Sequence, residues 1–183
     1  MAPLLRFLAF CGAFLLAACS TIGPPAGRPI DALLDDIASL VITFDLPRGL
    51  GPTPNSQFTF SVPSGGPGVN LQLTPVPAEI DSLPVGLPPP GADRAYYFFV
   101  FTAADVQKLR DAQIAAQLSE AQSDDVVLRF IPRFCSSGLA DGGMTVSILA
   151  VLPGRNPQHF IKNVKLDDLL KQAGGSMQIP ACV

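Results

Sequence analysis

The sequence predicts a mainly β protein, an antiparallel β-sandwich of immunoglobulin-like shape with two helical insertions. Three observations lead there. Proline supplies 19 of the 183 residues and glycine 16, and because proline breaks helix interiors a helical bundle is excluded. Apolar and polar residues alternate over short runs, the period-two signature of strands with one buried face. Turn-forming clusters separate those runs at the spacing of an all-β chain. An α+β domain, one curved sheet with a helix packed on it, is the alternative.

Taken in chain order, Leu40, Ile42, Phe44 and Leu46 face one way and Val41, Thr43 and Asp45 the other. That is a half-buried strand, preceded by a short helical lead-in over residues 31–38. Residues 57–62 and 69–74 repeat the alternation with cleaner polar partners, and the Pro-Ser-Gly-Gly-Pro-Gly between them makes a hairpin with one solvated face. Residues 47–90 hold eleven of the prolines. With no P-x-x-P repeat beside basic residues, they read as a stiff surface connection rather than a ligand for an aromatic groove.

The run Ala95-Tyr96-Tyr97-Phe98-Phe99-Val100-Phe101 is aromatic and β-branched, which predicts a strand covered on both faces. Thr102-Ala103-Ala104-Asp105 has the form of a capping box with Asp in place of Glu or Gln, opening a helix to about Ala121. Its apolar residues spread round more than half the wheel, so the helix is expected across an end or edge of the sheet. Residues 125–134 and 144–152 are two further strands joined by turn residues, and residues 166–173 a last short helix stopped by Gly174-Gly175. No internal repeat occurs.

The first twenty residues are an address. Arg6 precedes an apolar stretch, residues 7–15, that is too short to span a bilayer and has the character of a secretory signal. It runs into Leu16-Ala17-Ala18-Cys19-Ser20, which resembles the lipobox of bacterial lipoproteins. The resemblance covers this segment only. It implies a signal peptide over 1–18, lipidation of Cys19 followed by a flexible tether over 19–29, and a single periplasmic β domain over 30–183. In that family a residue other than Asp after the cysteine implies delivery to the outer membrane, and here it is Ser20. Loss of residues 1–18 removes one basic residue, leaving 11 against 15 acids, a formal charge of −4. Lipid, rather than a basic patch, must then hold the protein to the membrane. The same acidic balance excludes nucleic-acid binding, which needs a Lys/Arg surface.

With Cys11 leaving in the signal and Cys19 acylated, Cys135 and Cys182 remain in a compartment where thiols oxidise. They are expected to form a disulfide tying the C-terminal residues to the strand ending at Phe134. A redox pair or a metal site finds little support, since there is no C-x-x-C and one histidine, His159.

No catalytic residue, metal ligand or cofactor site is expected. There is no G-x-S-x-G, and His159 sits beside prolines in an expected loop, residues 157–160. The acidic pairs Asp35-Asp36, Asp124-Asp125 and Asp167-Asp168 read as caps and loop charges. Gly65-Gly66-Pro67-Gly68 lacks the lysine and helix of a phosphate loop. Arg129 and Arg133 share a face with Ile131 and read as members of cross-strand ion pairs, and Tyr96 and Tyr97 as core. Three functions survive: a non-catalytic envelope lipoprotein that binds or scaffolds another envelope protein, a carrier of a lipid or other hydrophobic ligand, or an envelope enzyme. The carrier is motivated by the mean hydropathy of +0.37. The enzyme would need His159 in a cleft beside Ser136, Ser137 or an aspartate.

Overall fold

The computed structural model describes residues 29–63, 65–76, 86–138, 143–172 and 179–182. The signal segment, Cys19, the tether up to residue 28 and the Gly174-Gly175 stop lie outside them. The fold is mainly antiparallel β with two helices. Its elements, among the described residues, are β1 (Val41–Pro47), β2 (Leu50–Pro52), β3 (Gln57–Ser61), β4 (Gly68–Gln72), β5 (Thr74–Val76), β6 (Arg94–Val100), α1 (Ala103–Leu118), β7 (Val127–Ile131), β8 (Phe134–Ser136), β9 (Thr145–Val151), β10 (Gln158–Lys165) and α2 (Leu166–Gln172).

A five-stranded sheet in the order β10-β9-β1-β6-β5 faces a three-stranded sheet, β4-β3-β7, with the small β2-β8 sheet beside it. The alternation in β1 decides how they meet. Leu40, Ile42, Phe44 and Leu46 are all buried on one face, and the Phe44 ring touches Phe99 of β6, Phe130 of β7 and Phe134 of β8 at centroid distances of 4.8, 5.3 and 5.9 Å. One ring therefore joins all three sheets, and the edge-to-face contact with Phe130 adds to its area burial. The β3–β4 hairpin forms as expected, pairing Gln57 with Gln72 through Ser61 with Gly68. Phe58, Phe60 and Leu71 face the core while Gln57, Asn70 and Gln72 are exposed.

Helix α1 starts where the capping pattern places it. The Thr102 hydroxyl oxygen accepts from the Asp105 amide, and the same hydroxyl donates to the Asp105 carboxylate at 2.7 Å. The helix ends at Leu118 rather than Ala121, because Glu120 adopts a left-handed φ of 60°. There the Ala121 and Glu120 amides bond back to the Ala116 and Gln117 carbonyls, a Schellman ending. The helix packs against the 3-10 turn Ile37–Ser39 and against β4, the terminal strand of its sheet, so the expected edge position holds. Its apolar residues divide, with Leu109 and Ala116 buried and Ile114 and Leu118 54% and 80% exposed.

Cys135 and Cys182 form the expected disulfide. It fastens the C-terminal residues alongside β8, where the Ser136 amide donates to Pro180 and the Cys182 amide to Ser136. Across 47 residues of chain such a closure is worth about 4 kcal/mol in the chain-entropy picture.

The structure corrects several expectations. The helical lead-in over 31–38 is a turn followed by the 3-10 segment Ile37–Ser39. The strand expected over 125–134 is two, because Pro132 cannot donate to a ladder and the Arg133 amide turns to the Ser56 hydroxyl. The aromatic strand β6 is not covered on both faces, since Val100 is 40% exposed and Tyr96 and Tyr97 are half-buried. It is β9 that is buried on both sides, residues 146–151 without exception. Finally, His159 lies in strand β10 rather than a loop.

Candidate functional site

The two sides of the sandwich are built differently. On one side the chain runs from β4 straight into β5 through the buried Leu73, whose amide donates to the Ser56 carbonyl, so the two sheets are joined by a continuous corner. On the other side two chain-distant edges, β7 of the three-stranded sheet and β10 of the five-stranded one, leave an open seam.

Grooves mark both ends of that seam. The larger, about 590 Å³, is lined among others by Ile30, Asp31, Ser123, Asp124, Leu128 and His159. The smaller, about 260 Å³, is lined by Arg129, Phe130, Ile131, Pro132, Ile161, Leu169 and Gln172. Leu128 and Phe130 rest on the core from β7, and Ile161 and Val164 from β10.

One wall of the larger groove is the segment that begins at Pro29, and it is heavily pinned. Asp31 accepts from the Leu33 and Leu34 amides and from the Ser123 hydroxyl at 2.9 and 3.0 Å. Asp35, 7% exposed, holds the Arg155 guanidinium through two bonds of 2.8 and 2.5 Å and accepts from the Asp31 amide. Gln113 of α1, also buried, donates to the carbonyls of Ala32, Leu33 and Asp35, and Gln117 donates to Leu33. The Ile30 amide donates to Gln158 of β10. These contacts were not legible from the sequence, where Asp35 reads as a loop charge. It is instead half of a largely buried bidentate pair, because its partner lies 120 residues away.

The other acidic pairs keep the roles expected of them. Asp124 is exposed in the 3-10 turn Ser123–Asp125, and Asp125 caps that turn by accepting from the Gln122 amide. Asp167 and Asp168 occupy the first turn of α2. Arg133 lies outside β7, so it does not share a strand face with Arg129, and among the described residues neither forms an ion pair. The half-buried pair is instead Arg94–Asp45, at 2.6 Å, with Arg94 also donating to the Asp45 and Thr145 carbonyls. Beside it, burial and then the Asp45 charge raise the Tyr96 phenol above its ordinary pKa.

His159 does lie in a groove with aspartates, Asp31 and Asp124, and with Ser123 rather than with Ser136 or Ser137. Ser136 is buried at β8, its hydroxyl donating to the Gly138 carbonyl at 2.6 Å. The single Ser123 proton is directed at Asp31, so serine and histidine are not coupled as nucleophile and base. No group of three or more His, Cys, Asp or Glu side chains converges on a metal site among the described residues. No family model, curated protein or solved structure matches the chain.

Proposed function

We propose that this chain is a lipid-anchored protein of the outer membrane, its domain facing the periplasm, which binds or scaffolds another envelope component without catalysing a reaction. The observation that carries the binding role is the open seam between β7 and β10. The interior offers little room for a ligand, since Phe44, Phe58, Phe60 and Phe99 are fully buried and fill the space between the sheets. A carrier of hydrophobic molecules needs an enclosed apolar cavity, and the grooves here are open and carry Asp31, Asp124 and Arg129.

Anchoring rests on Leu16-Ala17-Ala18-Cys19. The tether from Cys19 to Pro29 spans at most about 35 Å when fully extended, which keeps the larger groove close to the membrane. Cys19→Ala should leave unprocessed precursor and abolish acyl labelling; a correctly cleaved mutant with unchanged detergent partitioning would refute the anchor. For the binding role, the purified mature domain is cross-linked to detergent-solubilised envelope. A stoichiometric protein adduct mapping to the seam is expected, whereas stoichiometric lipid retained in native mass spectrometry would favour the carrier. His159→Ala should leave complementation intact and shift stability by no more than about 0.5 kcal/mol. Failure to complement with unchanged thermal transition would point to chemistry in the groove.

A further inference from the structure

An unpaired sheet edge is a row of backbone donors and acceptors that any extended chain can join, and proteins blunt such edges when they have no use for them. Here each terminal strand of the five- and three-stranded sheets except one is blunted by an identifiable device, and so is β8. β5 carries Pro75 at its centre, and proline confines pairing to one side. β4 lies against helix α1. β8 is flanked by the C-terminal residues, bridging Ser136 to Ala181 under the disulfide.

β10 is broken twice. Its register with β9 shifts between His159 and Ile161 and again between Ile161 and Val164. Asn163 takes a left-handed φ of 51°, which asparagine tolerates better than most residues. The bulge is held by the buried Ser147 hydroxyl, which accepts from the Asn163 amide at 3.0 Å and donates to its side-chain oxygen at 3.1 Å. Bulges of this kind twist an edge away from further pairing.

β7 has none of these features. Its five residues pair with β3 in unbroken register, Val127 with Ser61 through Ile131 with Gln57, and contain no proline. Among the described residues no strand pairs with its other edge. Grooves open beside it, and they differ in charge: Asp124, in the 3-10 turn before the strand, lines one, and Arg129, the central residue of the strand, lines the other.

We infer that the outer edge of β7 is the docking site, taking an extended peptide segment of the partner as an added antiparallel strand with an acidic side chain near Arg129 and a basic one near Asp124. The inference rests on the binding role proposed above and names its mode. Five residues of strand span about 17 Å, so the partner contributes a short segment. Main-chain bonds supply affinity, and the grooves and their charges supply register and direction. A second copy of this chain is a poor occupant: a symmetric antiparallel pairing centred on β7 sets Arg129 opposite Arg129, and like charges directly opposed across strands are destabilising.

The test uses the purified mature protein and a capped synthetic hexapeptide, Glu-Thr-Val-Thr-Val-Lys, whose charges have the sequence separation of Asp124 and Arg129 in reverse order, so that its first three residues pair with Val127–Arg129 and the rest run toward Asp124. Titration followed by amide chemical shifts should give saturable changes confined to residues 124–131 and 158–161. Methylating alternate peptide nitrogens on the pairing edge should weaken binding about tenfold or more, since each lost bond is worth about 1 kcal/mol. The reversed peptide, Lys-Val-Thr-Val-Thr-Glu, should bind severalfold more weakly, and Arg129→Glu, an exposed change that leaves the thermal transition in place, should lose the preference for the first peptide. No saturable shift at about 1 mM peptide, shifts elsewhere on the surface, or indifference to methylation would overturn the assignment, as would a concentration-dependent dimer paired through β7. If the cross-linked envelope adduct survives while the peptide fails these criteria, the edge is wrong and the binding role stands; if no adduct forms, the binding role itself fails.

Discussion

The two sides of this sandwich meet the same problem, how to finish two sheets, in opposite ways. At the β4–β5 side the chain crosses between sheets in one buried residue, Leu73, and α1 lies against the adjoining strand. At the β7–β10 side, the crossing is left to side chains, and the polar contacts beside it are the Asp35–Arg155 pair, the bond from Ser123 to Asp31 and the bond from the Ile30 amide to Gln158. Continuous chain ties the two sheets together at that side. Side-chain pinning leaves grooves, and the regular edge of β7 stays available.

The comparison breaks most visibly at the corner. Leu73→Ala removes a fully buried side chain where neighbours from two sheets cannot collapse, and about 3 kcal/mol of stability should go with it. Val127→Ala, on the exposed side of the seam at 42% exposure, should cost less than about 0.5 kcal/mol. Equal losses in denaturant titrations of the two variants would mean that the seam is as tightly packed as the corner.

A second substitution sharpens the claim that the seam is pinned electrostatically. Arg155→Ala removes the guanidinium from the buried Asp35 carboxylate, and breaking such a pair costs up to about 3 kcal/mol, less here because Arg155 keeps some contact with water. Hydrogen exchange should accelerate first at residues 30–36, which that carboxylate organises, while β4 and β5 stay protected.

Acid should loosen the α1 side in a defined window. The hydroxyl of Thr102, and then the Lys108 ammonium, hold the Asp105 carboxyl below its ordinary pKa. A depressed carboxyl stabilises the fold above its unfolded value of about 3.9 and loses that contribution as pH falls through the lower folded value. Asp105→Asn should therefore narrow the stability difference between pH 5 and pH 3, and show no pH-dependent difference from the parent between pH 6 and 8. The smallest effect is expected at the other end of the helix. Glu120 occupies a left-handed position that glycine adopts without penalty, so Glu120→Gly should raise stability by about 0.5 to 1 kcal/mol.

Much of the architecture was legible because it is local. Alternation in residues 40–46 and 57–73 marks strands whose buried face is set by a two-residue period, and Thr102 with Asp105 marks a helix start through bonds made within four residues. β10 escaped notice for an equally physical reason: its two bulges put Gln158, Ile161 and Val164 on the less exposed side, a spacing of three that no period-two pattern reveals. The Asp35–Arg155 pair could not be read, since neither residue's neighbours in sequence carry any sign of a partner 120 positions away.

The sequence by itself determined the strands of regular alternation, the capped helix and the disulfide, because each follows from the periodicity or elimination of residue types along the chain. Tertiary structure alone decided which edges were blunted and which was left regular, where Asp35 and His159 lie, and that Asp124 and Arg129 line different grooves beside β7. Edge pairing and buried ion pairs depend on which distant segments become neighbours, and that information exists only once the sheets have packed.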